Sequence, residues 1–310
     1  MQFLGIKWDN ETKKPFIKYK TTPNEGEEQY YPLVFSKGLS ISVLGSRHCI
    51  GSFEAPHYMM RNCQRNIDLL NGNLAQCPDC RRNDSTHFLP LDFLTYDQKE
   101  ELKNVKYFNY INLFGDNIIK VGVAADSRKI TRLLEQGAFA SIIFASDDGL
   151  MVRRIEDILS RTLKIRQAVN WNTKIKLINK HLSSHQAKQL LASHYQDIHT
   201  ILSTHFQQTI IQNEFHFFLD EYHLPINSDI DEVLYIETLS PKDKISGTIL
   251  GVYGAIILIK NAKDLLIALN TKSLLGYSIE VSNSVENIPT SVLKYRRIWI
   301  NDRDMQSGLF

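Results

Sequence analysis

The strongest hydrophobic and polar patterning runs from residue 106 to residue 162. Lys106 to Phe114 is rich in aromatic and β-branched residues, Gly115-Asp116 offers a tight turn, and Asn117 to Val123 is a second apolar run, so the pattern predicts a β-hairpin. Asp126 or Ser127 can cap a helix whose apolar positions Ile130, Leu133 and Leu134 fall on one side and whose stop signal is Gly137. Phe139 to Ala145 reads as a third strand. Asp147-Asp148 can cap a second helix, with Met151, Ile155, Ile158, Leu159 and Thr162 along one side. The predicted order is β-β-α-β-α.

Outside this stretch the periodicity is shorter in range. Phe3 to Trp8, Pro15 to Tyr19 and Leu39 to Leu44 read as strands, and Tyr96 to Leu102 as a short helix. Trp171 to His181 reads as a basic helix or extended connection. Leu191, Tyr195, Ile198, Leu202 and Phe206 recur at helical spacing, which predicts one long amphipathic helix from Ser184 to about Phe218. Five short strands between Asp231 and Val281, with turns at Gly254 and Gly276, suggest a small barrel or curled sheet. The expected class is α+β. Its division is an N-terminal β-structure over 1–95, a core over 96–184, a long helix over 185–225 and a β-barrel-like domain over 226–310. Exposed linkers are expected near 88–105 and 220–231, the second because it is polar and contains Pro225.

Composition adds limits. The chain has 310 residues, 43% hydrophobic and 23% charged, as an ordinary folded protein does. No apolar run approaches the ~20 residues of a membrane-spanning helix, and the N-terminus lacks a signal-peptide pattern, so no membrane association and a cytoplasmic location are expected. Net charge is only +2, so nucleic-acid affinity would have to come from local basic faces. Three such groups exist: Arg128, Lys129 and Arg132; Arg153, Arg154, Arg161, Lys164 and Arg166; and Lys174, Lys176 and Lys180. Each also suits a solvated helix surface, as do the histidines between His181 and His205. The chain carries no Walker loop, G-x-G-x-x-G or G-x-S-x-G.

All four cysteines, Cys49, Cys63, Cys77 and Cys80, lie within 32 residues as C-x13-C-x13-C-x2-C. Tetrahedral zinc needs four soft ligands, and the Cys77-Pro-Asp-Cys80 turn delivers two of them. A redox C-x-x-C would leave Cys49 and Cys63 unexplained, and disulfides do not suit the expected compartment. Structural zinc on the four cysteines is the expectation, with His48 and His87 as alternative ligands.

The β-β-α-β-α order, with Phe108-Asn109-Tyr110 on the first strand and Lys120-Val121-Gly122 on the second, resembles the GIY-YIG nuclease module. Tyr110 matches that family's first tyrosine, Lys120 replaces its second, Arg132 matches the helix arginine and Glu156 the metal-binding glutamate. More narrowly, YINLFGDNIIKVGV, RLLEQGA and RRIEDIL with cysteines upstream resemble a bacterial family labelled a domain of unknown function. The resemblance implies a metal-dependent nuclease. Glu156 would hold Mg²⁺ or Mn²⁺, Arg132 would contact phosphate, and Tyr110 or Lys120 would handle the proton. Two other outcomes are a zinc protein that binds nucleic acid without cutting it, and an enzyme whose cleft serves a small molecule. With Tyr110 four residues before Phe114 and Lys120 four after Asp116, the two are expected to pair directly across the strands, and the four side chains should share one pocket.

Overall fold

The computed structural model describes residues 1–300 apart from 24–25, 55–58, 70–73, 85–90, 116–117, 181, 207–208, 226–229 and 289–292. The expected linkers and His87 thus fall partly or wholly outside the described residues. The chain begins with strands β1 (Gln2–Trp8), β2 (Pro15–Lys20), β3 (Gln29–Pro32) and β4 (Gly38–His48). Short strands β5 (Ser52–Glu54), β6 (Met59–Arg61) and β7 (Asp68–Leu69) follow, then helices α1 (Pro78–Asp84) and α2 (Tyr96–Lys103). The central stretch forms β8 (Lys106–Phe114), β9 (Ile118–Ala125), α3 (Lys129–Gln136), β10 (Ala140–Asp148) and α4 (Gly149–Thr162), in the order its patterning predicts. Local chemistry sets the boundaries. Gly137 ends α3 at φ 67°, a left-handed position that costs glycine little, and the Asp148 carboxylate accepts from the N–H groups of Leu150 and Met151, both at 2.8 Å.

Helices α5 (Trp171–Lys176) and α6 (Ser184–His205) lead to strand β11 (Ile210–Phe217) and helix α7 (Leu219–Tyr222). The long helix therefore stops at His205, short of the expected Phe218. Beyond it the β-branched and aromatic residues Ile210, Ile211, Phe215 and Phe217 pair along β10 instead, completing a four-stranded antiparallel sheet in the order β11-β10-β8-β9. One face of this sheet, carrying Ile111, Leu113 and Val121, packs on Ile155 and Leu159 of α4 and on Leu191 and Ile198 of α6. The other face, carrying Phe108 and Tyr110, packs on Leu133 and Leu134 of α3.

The chain ends with β12 (Glu232–Ile236), β13 (Lys244–Tyr253), β14 (Ile256–Lys260), β15 (Leu266–Asn270), β16 (Tyr277–Ser282) and β17 (Arg296–Trp299). These strands do not close into a small barrel. They join the N-terminal strands in one large mixed sheet ordered β17-β12-β15-β14-β13-β4-β16-β1-β2-β3, with β7 attached to β4 and only β12 and β15 running parallel. The long strand β4 takes both neighbours, β13 and β16, from the C-terminal set, so segments far apart in sequence share one ladder. That non-local pairing has no signature in local periodicity.

Helix α3 is held between the two sheets. The Tyr222 hydroxyl donates to the carbonyls of Leu134 (3.3 Å) and Ala138 (3.0 Å), and the Phe139 and Tyr253 rings meet at 5.6 Å. Gly254, at φ 61°, permits the closest approach: a Cβ there would lie 2.9 Å from the Glu135 carbonyl oxygen. The layers run from the large sheet through α3 and the four-stranded sheet to α4 and α6. Seven α-helices are present among the described residues, and the class is mixed α/β.

Candidate functional site

The four cysteines converge. Cys49 follows β4, Cys77 immediately precedes α1 and Cys80 lies in its first turn, where Pro78 sits at the first helical residue. All four are buried, and their sulfurs lie within 4.8 Å of one another. Cys49 Sγ accepts from the N–H groups of Cys77 (3.1 Å) and Gly51 (3.4 Å). Burial pushes the Cys49 thiol up to about 11 and raises Cys80 as well. At Cys63 burial acts in the same direction, but backbone N–H donors of Ile67 and Arg65 outweigh it and bring the thiol down to about 7. Four buried sulfurs this close repel one another as thiolates unless a cation joins them, so the group can hold a metal such as zinc. His48, an expected alternative ligand, lies outside the group. Its Nδ1 sits 2.5 Å from Asp68.

Gly51 makes this site steric as well as chemical. It adopts φ 88°, and a Cβ would come 1.9 Å from the Arg61 carbonyl oxygen. Gly51→Ala is expected to cost about 3 kcal/mol through strain and overpacking, and to weaken metal retention because the same residue's N–H supports Cys49. Denaturant melts and metal content of the variant check both effects.

In the central hairpin Tyr110 pairs with Gly122 and Lys120 with Asn112, so the expected direct pairing of Tyr110 with Lys120 is corrected by two residues. The reason is the turn: pairing Tyr110 with Lys120 would set Phe114 opposite Asp116 with one residue between the strands, whereas Phe114 pairs with Ile118 and leaves three. The parity survives, and Tyr110 and Lys120 still share a face, with Lys120 Nζ 5.3 Å from the Tyr110 ring centre. Gly122 makes room for them. A Cβ at that position would lie 2.5 Å from Tyr110 Oη and 2.9 Å from Lys120 Nζ. Tyr110 is fully buried, and its hydroxyl has no hydrogen-bond partner among the described residues.

Where this face meets the large sheet, a cavity of about 390 Å³ opens. Lys120 and Arg132 line it with Glu135, Trp171, Lys174 and Lys272. Lys174, 3% exposed, donates to the Gln136 carbonyl at 2.5 Å and stands 4.1 Å from the Trp171 ring and 4.7 Å from Phe114. Lys272 lies over Trp171 at 5.3 Å. Burial pulls Lys174 down to about 7, helped by the positive charges of Lys272, Lys120 and Arg132. Lys272 is lowered too, by burial and by Arg132, against the pull of Glu135. Among the described residues that carboxylate is the only one lining the cavity, and it is ion-paired to Arg128 (2.5 Å) and Arg132 (3.9 Å).

Of the residues proposed from sequence, Lys120 and Arg132 meet in the cavity and Tyr110 lies beneath Lys120. Glu156 does not line it; it projects from α4, which packs on the opposite face of the sheet. Burial raises the Glu156 carboxyl, while Lys120, Arg153 and Arg132 act to lower it, so it stands within electrostatic reach of the cavity's cations. Sequence reasoning counted Lys174 as a solvated surface cation and did not single out Lys272. The spacing of Trp171 and Lys174, three apart on a helix, was the only local signal for the first. Lys272 arrives from the 3-10 turn that links β15 to β16 and carried none.

No helix among the described residues is long and apolar enough to cross a membrane. Neither the curated proteins nor the solved structures contain a match to the chain. A family model does match, over residues 36–279, and by that match the chain belongs to the family described as Protein of unknown function (DUF2797).

Proposed function

We propose that this chain is a GIY-YIG-like core whose cleft has been adapted to a small phosphate-bearing molecule, with a structural zinc on Cys49, Cys63, Cys77 and Cys80. The observation that carries the reading is the cavity, which gathers Lys120, Arg132, Lys174 and Lys272 around Glu135, a carboxylate that is itself ion-paired. Bringing four cations into one partly desolvated space is unfavourable unless an anion completes it. A phosphate group, with its several acceptor oxygens and double charge, suits such a set. The volume also speaks for a small ligand. At about 390 Å³ the cavity sits at the low end of the ~300–1,000 Å³ typical of small-molecule sites, and the large sheet covers the face that carries Tyr110.

The test is thermal stabilisation by inorganic phosphate, pyrophosphate and nucleoside monophosphates. The wild-type protein should gain several degrees at saturation, and Lys272→Met should weaken binding at least tenfold, about 1.4 kcal/mol. Stabilisation no greater than that from equal ionic strength of chloride would overturn the reading.

The electrostatic coupling of Glu156 to Lys120 and Arg132 supports a second reading, a nuclease in which Glu156 holds Mg²⁺ or Mn²⁺ and nucleic acid is the partner. Cleavage of single-stranded DNA or RNA that depends on the divalent ion and is abolished by Glu156→Ala would establish it over the small-molecule reading. Salt-sensitive oligonucleotide binding without turnover would instead identify a non-cleaving nucleic-acid protein.

A further inference from the structure

Lys174 differs from the other cations of the cavity. Lys120 and Arg132 come from the central hairpin and α3, and Lys272 from the 3-10 turn that follows β15, whereas Lys174 is carried by the short helix α5. Its amine lies over the Trp171 and Phe114 rings and is held by the carbonyl of Gln136, the last residue of α3. The amine is thus fixed in direction, shielded from water by two aromatic rings, and at the wall of a cavity that already holds three other cations. This is the setting in which a lysine works as a nucleophile: apolar walls and neighbouring positive charge favour the neutral amine.

We propose that Lys174 is a Schiff-base-forming lysine whose partner is the carbonyl group of a small phosphate-bearing aldehyde or ketone. This rests on the reading of the cavity as a phosphate site: Lys120, Arg132 and Lys272 anchor the phosphate and Lys174 meets the carbonyl. The neutral amine adds through its lone pair to the carbonyl carbon, and the carbonyl π electrons move to oxygen. Proton transfer from nitrogen to that oxygen gives a carbinolamine, which loses water as the C=N bond forms. No oxidant or second reactant is consumed.

The charged groups facing Lys174 agree in sign. From the turn after β15 Lys272, from β9 Lys120 and from α3 Arg132 all disfavour its protonation, and burial, the largest influence, acts the same way to bring it to about 7. Glu135, the one carboxylate on the wall among the described residues, is committed to Arg128 and Arg132. The alternative role is mechanical, an ammonium placed at the C-terminal end of α3 to satisfy its last carbonyl.

The probe is pyridoxal 5′-phosphate, an aldehyde bearing a phosphate, incubated with the full chain at pH 8 and reduced with borohydride before peptide mapping. One adduct per chain at Lys174 is expected, suppressed by inorganic phosphate and absent in Lys174→Arg. With saturating probe, Lys272→Met should move the pH midpoint of labelling upward, because removing a neighbouring positive charge makes Lys174 easier to protonate. A merely structural lysine would show neither the adduct nor that shift. Label scattered over exposed lysines, insensitive to phosphate and missing from Lys174, would overturn the proposal even where phosphate still stabilises the protein. Failure of phosphate to stabilise would remove the anion site itself, and the proposal with it.

Discussion

Replacing Cys77 by serine is expected to release the proposed zinc and to lower the stability of the N-terminal segment by several kcal/mol. The hard-won part of that segment's fold is the metal. Between Cys49 and Asp84 the described strands have two or three residues each, and among the described residues the buried cluster there consists of the four cysteines with only Ile67 and Leu69 packed against it. Such a segment cannot offset its own chain entropy by apolar burial, so the affinity of a closed zinc site, on the order of 10 kcal/mol or more, becomes folding free energy. Loss of one ligand also leaves three crowded sulfurs, two of them with thiols raised by burial, which bind a divalent ion poorly. Elemental analysis should give about one zinc per wild-type chain and close to none in the variant, and denaturant melts should show the accompanying loss. Wild-type protein purified without chelator that contains four titratable thiols and no metal would contradict this account.

Lys174→Met is expected to have the opposite effect and make the protein more stable. The lysine falls from an ordinary value of 10.5 to about 7 on folding, and at about 1.4 kcal/mol per unit that corresponds to a cost of roughly 5 kcal/mol where the side chain is charged in both states. Methionine has similar length and no charge to desolvate. Against the gain stand the lost hydrogen bond to Gln136 and the lost contacts of the ammonium with Trp171 and Phe114, together about 2–3 kcal/mol. A net stabilisation of about 2 kcal/mol near neutral pH follows. Its pH dependence is diagnostic. A lysine whose folded value is depressed binds more protons in the unfolded state between about pH 7 and 10.5, so the wild-type protein gains stability as pH rises through that window. The advantage of the variant should therefore be full below about pH 7, be lost by about pH 8.5, and reverse towards pH 10, where the charge no longer costs anything and only the lost interactions remain. Urea denaturation at three pH values measures it, and a variant less stable than wild type throughout would show that Lys174 is a structural cation rather than one held at a cost for function.

The elements of the centre were legible because their signals are local. The β8-β9 hairpin, the Gly137 stop and the Asp148 cap each depend on residues within a few positions of one another, and the structure has them where the patterning puts them. The cysteine group was legible for a similar reason, since C-x2-C chemistry and clustering constrain where sulfurs can go. The hairpin register was not, because it turns on two residues of loop length that composition does not reveal.

By itself, then, the sequence determined the central β-β-α-β-α order, the face shared by Tyr110 and Lys120, and the four thiols that can meet at one metal. Only the tertiary structure decided that β4 would draw the C-terminal strands into one sheet, and that this sheet would cover the Tyr110 face. It also separated Glu156 from the cavity and brought Lys174 and Lys272 into it. The physical reason is range. Helical and strand periodicity, caps and ligand spacing act over a few residues, whereas strand pairing across about two hundred positions and the desolvation of a lysine are properties of surfaces that exist only once the chain has folded.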